Sequence, residues 1–172
     1  MEIKLILPTK KYKEKIELYK QGFLNASSEM IGCGSLEHDD VDTWLKKCID
    51  YKKGKNLPDG FVPVTQYICV RKNDDKIIGM LQIRHYLSEY LLNFGGHIGN
   101  SIAVDERNKG YSKTMLALGI KKCKSMGINK ILITCKDTNT ASKKSILANG
   151  GIYENSKKLN TNKTVERYWI NL

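Results

Sequence analysis

The chain has 172 residues, 41% hydrophobic and 27% charged, which is enough for one well-buried core and short for two. Its formal net charge of +11 favours an anionic partner, nucleic acid or a phosphorylated small molecule, and charge alone does not choose between them. No apolar run approaches the roughly 18 residues that span a bilayer, and the start MEIKLILPTKK has no basic segment or small-residue cleavage site, so a cytoplasmic protein without a membrane partner is expected.

Residues 3–7 alternate like a short strand that Pro8 ends. A helix is predicted over 10–27, where Ile16, Tyr19, Phe23 and Leu24 share a face, and another over 39–52, with Asp39 or Asp40 as cap and Val41, Trp44, Leu45 and Cys48 inward. The cluster Glu37, His38, Asp39, Asp40 and Asp42 reads as capping and dipole compensation, or as an attraction for a cationic substrate. A turn-rich connector over 53–63 leads to a predicted hairpin, strands over 66–71 and 77–86 about a turn at Asn73, Asp74 and Asp75. Residues 87–94 offer one helical turn, and Gly95-Gly96 lets the chain bend into a strand over 97–104.

A long helix over 110–125 follows, stopped by Met126-Gly127, then a compact apolar strand over 130–135. Residues 140–148 read as a helix closed by Asn149-Gly150-Gly151, and 152–155 and 164–171 as strands about a polar turn over 157–163. The order predicts a single α/β (α+β) domain over 1–172 with a mixed sheet and no internal repeat.

The five cysteines Cys33, Cys48, Cys69, Cys123 and Cys135 form no CxxC pair and none has a histidine at zinc spacing, which predicts reduced, mostly buried thiols in a reducing compartment. The histidines His38, His85 and His97 make no metal-binding pattern. A P-loop, a dinucleotide G-x-G-x-x-G and a serine-hydrolase G-x-S-x-G are all missing from the sequence. What stands out is residues 97–126, a strand, a polar turn with one glycine and a helix whose start carries Arg107, Lys109 and Lys113 around Gly110. Unpaired N–H groups at a helix start, with the dipole behind them, make a phosphate cradle.

Arg107-Asn108-Lys109-Gly110-Tyr111-Ser112 resembles the R/Q-x-x-G-x-G/A acyl-CoA signature of the GNAT superfamily of N-acetyltransferases, with Ser112 in the last small position. GGHIGNSI before it resembles that superfamily's acetyl-CoA strand. Asn139-Thr140-Ala141-Ser142 with Asn149-Gly150-Gly151 resembles its N-x-x-A/S helix and NGG ending. The ordered set EYLLNFGGHIG, RNKGYSK, ILITC and ANGG is similar to a family of predicted bacterial acetyltransferases over about residues 60–155. The resemblance implies a GNAT-like domain, a mostly antiparallel sheet splayed in the middle and flanked by helices. Residues 1–60 would supply acceptor-side helices, and 61–172 the acetyl-CoA-binding core and C-terminal strands.

It further implies acetyl-CoA as cosubstrate and direct attack of an amine on the acetyl thioester. The pyrophosphate would sit on main-chain N–H groups of Asn108, Lys109, Gly110, Tyr111 and Ser112, with Arg107, Lys109 and Lys113 adding charge. The pantetheine arm would bond Ile102, Ala103 and Val104 at the splayed strand, and Asn139 and Ser142 from the next helix. For catalysis the resemblance and the reference pKa of histidine point to His97 as general base, with Glu89 and Glu106 as alternatives and Asn100 orienting the acceptor.

A tyrosine that often protonates the leaving thiolate is replaced by Ile146, which leaves Tyr111 or Tyr153 as donors, or none. The partners expected are acetyl-CoA and a small-molecule or protein amine, with a homodimer open. A silent acyl-CoA binder and a nucleic-acid binder are the competing classes, the latter disfavoured because the lysines are spread along the chain.

Overall fold

The hydrophobic alternation becomes seven strands in two separate antiparallel sheets in the computed structural model, which describes residues 2–172. One sheet takes β1 (Ile3–Ile6), β2 (Val64–Arg71), β3 (Ile77–Arg84) and β4 (Ile98–Ile102) side by side. The other takes β5 (Lys130–Lys136), β7 (Lys163–Asn171) and β6 (Ile152–Asn160), with β7 in the centre. The expected mixed sheet is thus two antiparallel sheets. The parallel neighbours β4 and β5, which would have joined them, share no ladder.

Four helices cover these sheets: α1 (Lys13–Asn25), α2 (Val41–Lys52), α3 (Tyr111–Ser125) and α4 (Thr140–Leu147). A single 3-10 turn, Lys10–Tyr12, leads into α1, where the sequence predicted continuous helix. Ile16, Phe23 and Trp44 from α1 and α2 pack on one face of the first sheet against Ile68 and Met80. On the opposite face Leu81, Ile83 and Ile98 meet Met115 and Leu116 of α3, and the same core continues through Ile131 and Ile146 into the second sheet. The core on the α3 side therefore welds the sheets into one domain although their backbones separate.

Two boundaries moved for physical reasons. The predicted polar turn over 157–163 is mostly strand, and β6 and β7 are joined by Thr161 and Asn162 alone. β6 is a sheet edge with exposed and half-exposed residues alternating along it, so its polar sequence reflects an exposed edge and carries no turn signal. Residues 91–95 form one π-type turn at the place where one helical turn was expected, and Gly96 (φ 66°) then redirects the chain into β4.

The acidic cluster is engaged locally. Asp40 caps α2 by accepting from the Thr43 N–H at 3.0 Å, Asp39 pairs with Lys47 at 2.7 Å, and Asp42 pairs with Lys13. All five cysteines are free, and four are buried. Among the described residues no helix is long and apolar enough to cross a membrane.

Candidate active site

β4 and β5 meet at one end only. The His97 main-chain N–H donates to Leu132 O at 2.7 Å, and the Leu132 N–H donates back to the His97 side chain, to Nδ1, at 2.9 Å. The carbonyl of His97 is already taken by the Arg84 N–H at 2.8 Å, so the imidazole supplies the acceptor that the backbone does not. Beyond this clamp the strands diverge into a V-shaped gap.

The pairing of β3 with β4 decides what lines it. Arg84 N–H bonds His97 O and Ala103 N–H bonds Ile78 O, so in an antiparallel ladder residues 99, 101 and 103 turn their main-chain groups toward β3. Asn100 and Ile102 then turn theirs toward the gap. Ala103, expected to hold the pantetheine, is corrected here: its N–H goes to Ile78 and its carbonyl accepts from Glu106, leaving no free main-chain group. Val104 begins the 3-10 turn Val104–Glu106 that carries the chain from β4 to the cradle.

The open end of the gap faces the start of α3. Asn108 (φ 61°) and Gly110 (φ 80°) both adopt left-handed backbone, and Gly110 is the N-cap of the helix, with no acidic side chain in its first turn. The first N–H groups of α3, at Tyr111, Ser112 and Lys113, are therefore unpaired and point out of the helix start. Asn139 caps α4 beside it, its Oδ1 accepting from the Ser142 N–H at 3.0 Å. Ser145 donates to Ser112 Oγ at 3.0 Å and Asn149 Nδ2 to Lys113 O at 3.1 Å, which ties the start of α3 to the C-terminal end of α4.

Several side chains have tasks other than those expected. Lys109 turns back to Asp105 O (2.8 Å) and Glu106 (3.0 Å). Arg107 reaches across to α1, donating to Ser28 Oγ at 2.7 Å and lying over the Phe23 ring, while its Nε approaches Ile102 O at 3.4 Å. Tyr111 is buried with its hydroxyl accepting from Arg71 of β2 at 3.0 Å. Tyr153 is exposed, paired with Ser156, and Ile146 is buried in the core.

The two candidate bases next to the gap are unsuited to accept a proton. Burial first, and the neighbouring Arg84 guanidinium second, lower the His97 pKa to about 4. With Nδ1 committed to the Leu132 N–H, the ring's one proton is on Nε2, so it is a neutral donor at neutral pH. Glu106 is only 3% exposed. Burial alone would raise its pKa, but hydrogen bonds from Lys76 and Lys109 and the charge of Arg71 outweigh that and hold it at about 2. Glu89 is exposed in the segment before β4, and Asn100 stands on the α3-facing side of β4 with Ile98 and Ile102.

Sequence reasoning missed the hub at Glu106, the α3–α4 clamp through Asn149 and the imidazole clamp at His97. The NGG ending signalled the clamp only as part of a pattern. The loop between α1 and α2 packs against the other face of β4 at Gly99. A Cβ on Gly32 (φ 74°) would lie 2.2 Å from Gly99 O, and the Cys33 thiol, pushed up to about 12 by burial, sits 3.4 Å from Ser101 Oγ. A separate groove of about 550 Å³ runs between α1 and the β3–β4 ends, lined by residues that include Leu18, Tyr19, Ile77 and Val104.

An open strand edge facing an anion nest at a helix start suits a ligand that joins a phosphate group to an amide-bearing arm. The model of the acetyltransferase (GNAT) family matches residues 35–146, more than half of the chain, and the chain belongs to that family. Comparison with curated protein sequences gives no match.

Among solved structures, the fold is similar to RimL, a ribosomal L7/L12 alpha-N-protein acetyltransferase in complex with coenzyme A (TM-score 0.72, 13% identity, 99% of this chain and 94% of that one). It is similar to the microcin C7 self-immunity acetyltransferase MccE in complex with acetyl-CoA and AMP (TM-score 0.69, 20% identity, 99% and 93%). A third is the ribosomal-protein-S5-alanine acetyltransferase from Vibrio fischeri (TM-score 0.69, 16% identity, 98% and 91%).

Proposed function

We propose that this GNAT acetyltransferase transfers the acetyl group of acetyl-CoA to a primary amine by direct attack, with both substrates bound at the β4–β5 gap. The amine nitrogen forms a bond to the thioester carbonyl carbon, the carbon–sulfur bond breaks, CoA leaves as the thiolate, and the nitrogen loses a proton. The observation that carries this reading is the free β4 edge at Asn100 and Ile102, set opposite the unpaired N–H groups of α3. The pantetheine amides pair with that edge, and the pyrophosphate sits at residues 108–112.

Holding amine and thioester in near-attack geometry supplies much of the rate. A β4 N–H, from Asn100 or Ile102, stabilises the developing oxyanion. Of the residues expected to act as base, His97 serves instead to close the V. Proton removal then falls to water, with Glu89 the single carboxylate in the segment leading into β4. The thiolate, a good leaving group, departs without the tyrosine that Ile146 replaces. Asn139 and Ser142 border the same mouth, and the free Nδ2 of Asn139 is available to the pantetheine arm.

A screen of amines for release of free CoA thiol, with the product checked by mass for one added acetyl group, tests this. The absence of a well-placed base at the gap favours one second reading, a silent acyl-CoA binder. Acetyl-CoA binding without CoA release from any amine would establish that second reading.

A further inference from the structure

Arg84 is a charge with no counter-charge. Two other arginines have carboxylate partners, Arg71 with Asp74 and Glu106 and Arg167 with Glu154, whereas no carboxylate lies within 4 Å of the Arg84 guanidinium among the described residues. Its hydrogen bonds to protein all come from Nη1, to Gly95 O at 3.0 Å and Gly96 O at 3.4 Å. Nη2 and Nε have no protein acceptor among the described residues. Protein surrounds the group closely enough for burial to lower its pKa to about 10, so it keeps its charge at neutral pH while remaining partly open to solvent. Holding such a charge without an anion is costly.

Its position gives the cost a purpose. Arg84 ends β3 on the side of the sheet that carries the α1–α2 loop, and its side chain lies across β4 at Gly99. A Cβ there would be 3.0 Å from Nη2 and 3.3 Å from Nη1, so glycine is what lets the guanidinium reach the strand. Gly99 immediately precedes Asn100, whose main chain faces the gap. The free edge of Arg84 therefore stands beside the closed end of the V, on the face opposite α3. The acids that would draw in a cationic acceptor, Asp39, Asp40 and Asp42, are engaged in an ion pair, a helix cap and an ion pair.

We propose that Arg84 recognises the acceptor, binding a carboxylate or phosphate group carried close to the amine that is acetylated. A planar oxyanion bonds Nη2 and Nε together while Nη1 keeps the Gly95–Gly96 turn in place, the fork geometry for which a guanidinium is suited. The inference rests on the acetyltransferase reading and narrows its acceptor to an anionic amine, away from a polyamine.

The test compares matched amines in CoA release: β-alanine with β-alaninamide, O-phosphoethanolamine with ethanolamine, and spermidine as a polycation. Wild-type protein should favour one anionic member over its neutral partner on the order of a hundredfold in kcat/KM, and which pair responds distinguishes carboxylate from phosphate. Arg84→Gln should bring that ratio close to one without changing the rise in melting temperature with acetyl-CoA, and Arg84→Lys should keep part of the preference.

Equal use of charged and neutral partners, a preference for spermidine, no turnover of any anionic amine while acetyl-CoA still binds, or an unchanged ratio in Arg84→Gln would each overturn the assignment. Failure of acetyl-CoA to raise the melting temperature of the wild type would instead overturn the acetyltransferase reading itself.

Discussion

His97 shows how one side chain's task is set by what surrounds it. As a residue type it suits proton transfer near neutrality, yet its Nδ1 takes the Leu132 N–H and burial drives its pKa down to about 4. The unfolded chain, with a histidine pKa near the ordinary 6.5, then binds a proton that the native state refuses between about pH 6.5 and pH 4. Stability contributed by neutral His97 is fully present above that window and is lost as the pH falls through it. Urea denaturation at pH 7 and pH 5 should show a loss for the wild type that His97→Asn, which keeps an acceptor but does not titrate, largely removes. His97→Ala strands the buried Leu132 N–H and should cost about 1–3 kcal/mol at neutral pH.

Glu106 belongs to the same scale. With Arg71, Lys76 and Lys109 gathered on its carboxylate at 2.7–3.1 Å, Glu106→Gln removes a buried charge that three cations share. Chemical denaturation should register a loss of about 3 kcal/mol, while acetyl-CoA affinity changes little if the cradle is main chain. Neither role was legible beforehand. Both depend on partners brought from β5 and β2, and a sequence states a residue's chemistry without stating which backbone groups the fold leaves it to satisfy.

At the level of elements the sequence was more informative, because periodicity and capping act locally. The strand, turn and helix around Gly110 fell where the pattern put them, and Asp40 caps α2 as its type and position suggested. The exposed edge β6 was misread as a turn because polarity there reports exposure and not backbone conformation. The role of Gly110 is open to direct test. Its φ of 80° disfavours any β-branched residue, so Gly110→Val should cost about 1–2 kcal/mol in the free protein and abolish the thermal shift with acetyl-CoA. A preserved shift would mean that the pyrophosphate does not use this turn. On the other face of β4, Gly32→Ala should lower the melting temperature sharply, since its Cβ meets Gly99 O and Asn100 N at 2.2 and 2.6 Å.

Across the whole molecule, the division into two sheets is what makes a binding site. Had β4 and β5 paired fully, their edges would have satisfied each other; the imidazole clamp and the diverging strands leave main-chain groups for a ligand. The family resemblance of the motifs implied this splay, but the register that selects Asn100 and Ile102 over Ala103 came only from the β3–β4 pairing. The acetyltransferase identity follows from that architecture and the family match, whereas the acceptor depends on the α1–α2 face, where local patterns say least.

Hydrogen exchange with and without acetyl-CoA tests the central claim most directly. The account predicts slowed exchange confined to the β4 amides of Asn100 and Ile102 and the α3 start at residues 108–113. Protection concentrated along the groove between α1 and the β3–β4 ends, with β4 and the α3 start unchanged, would contradict it.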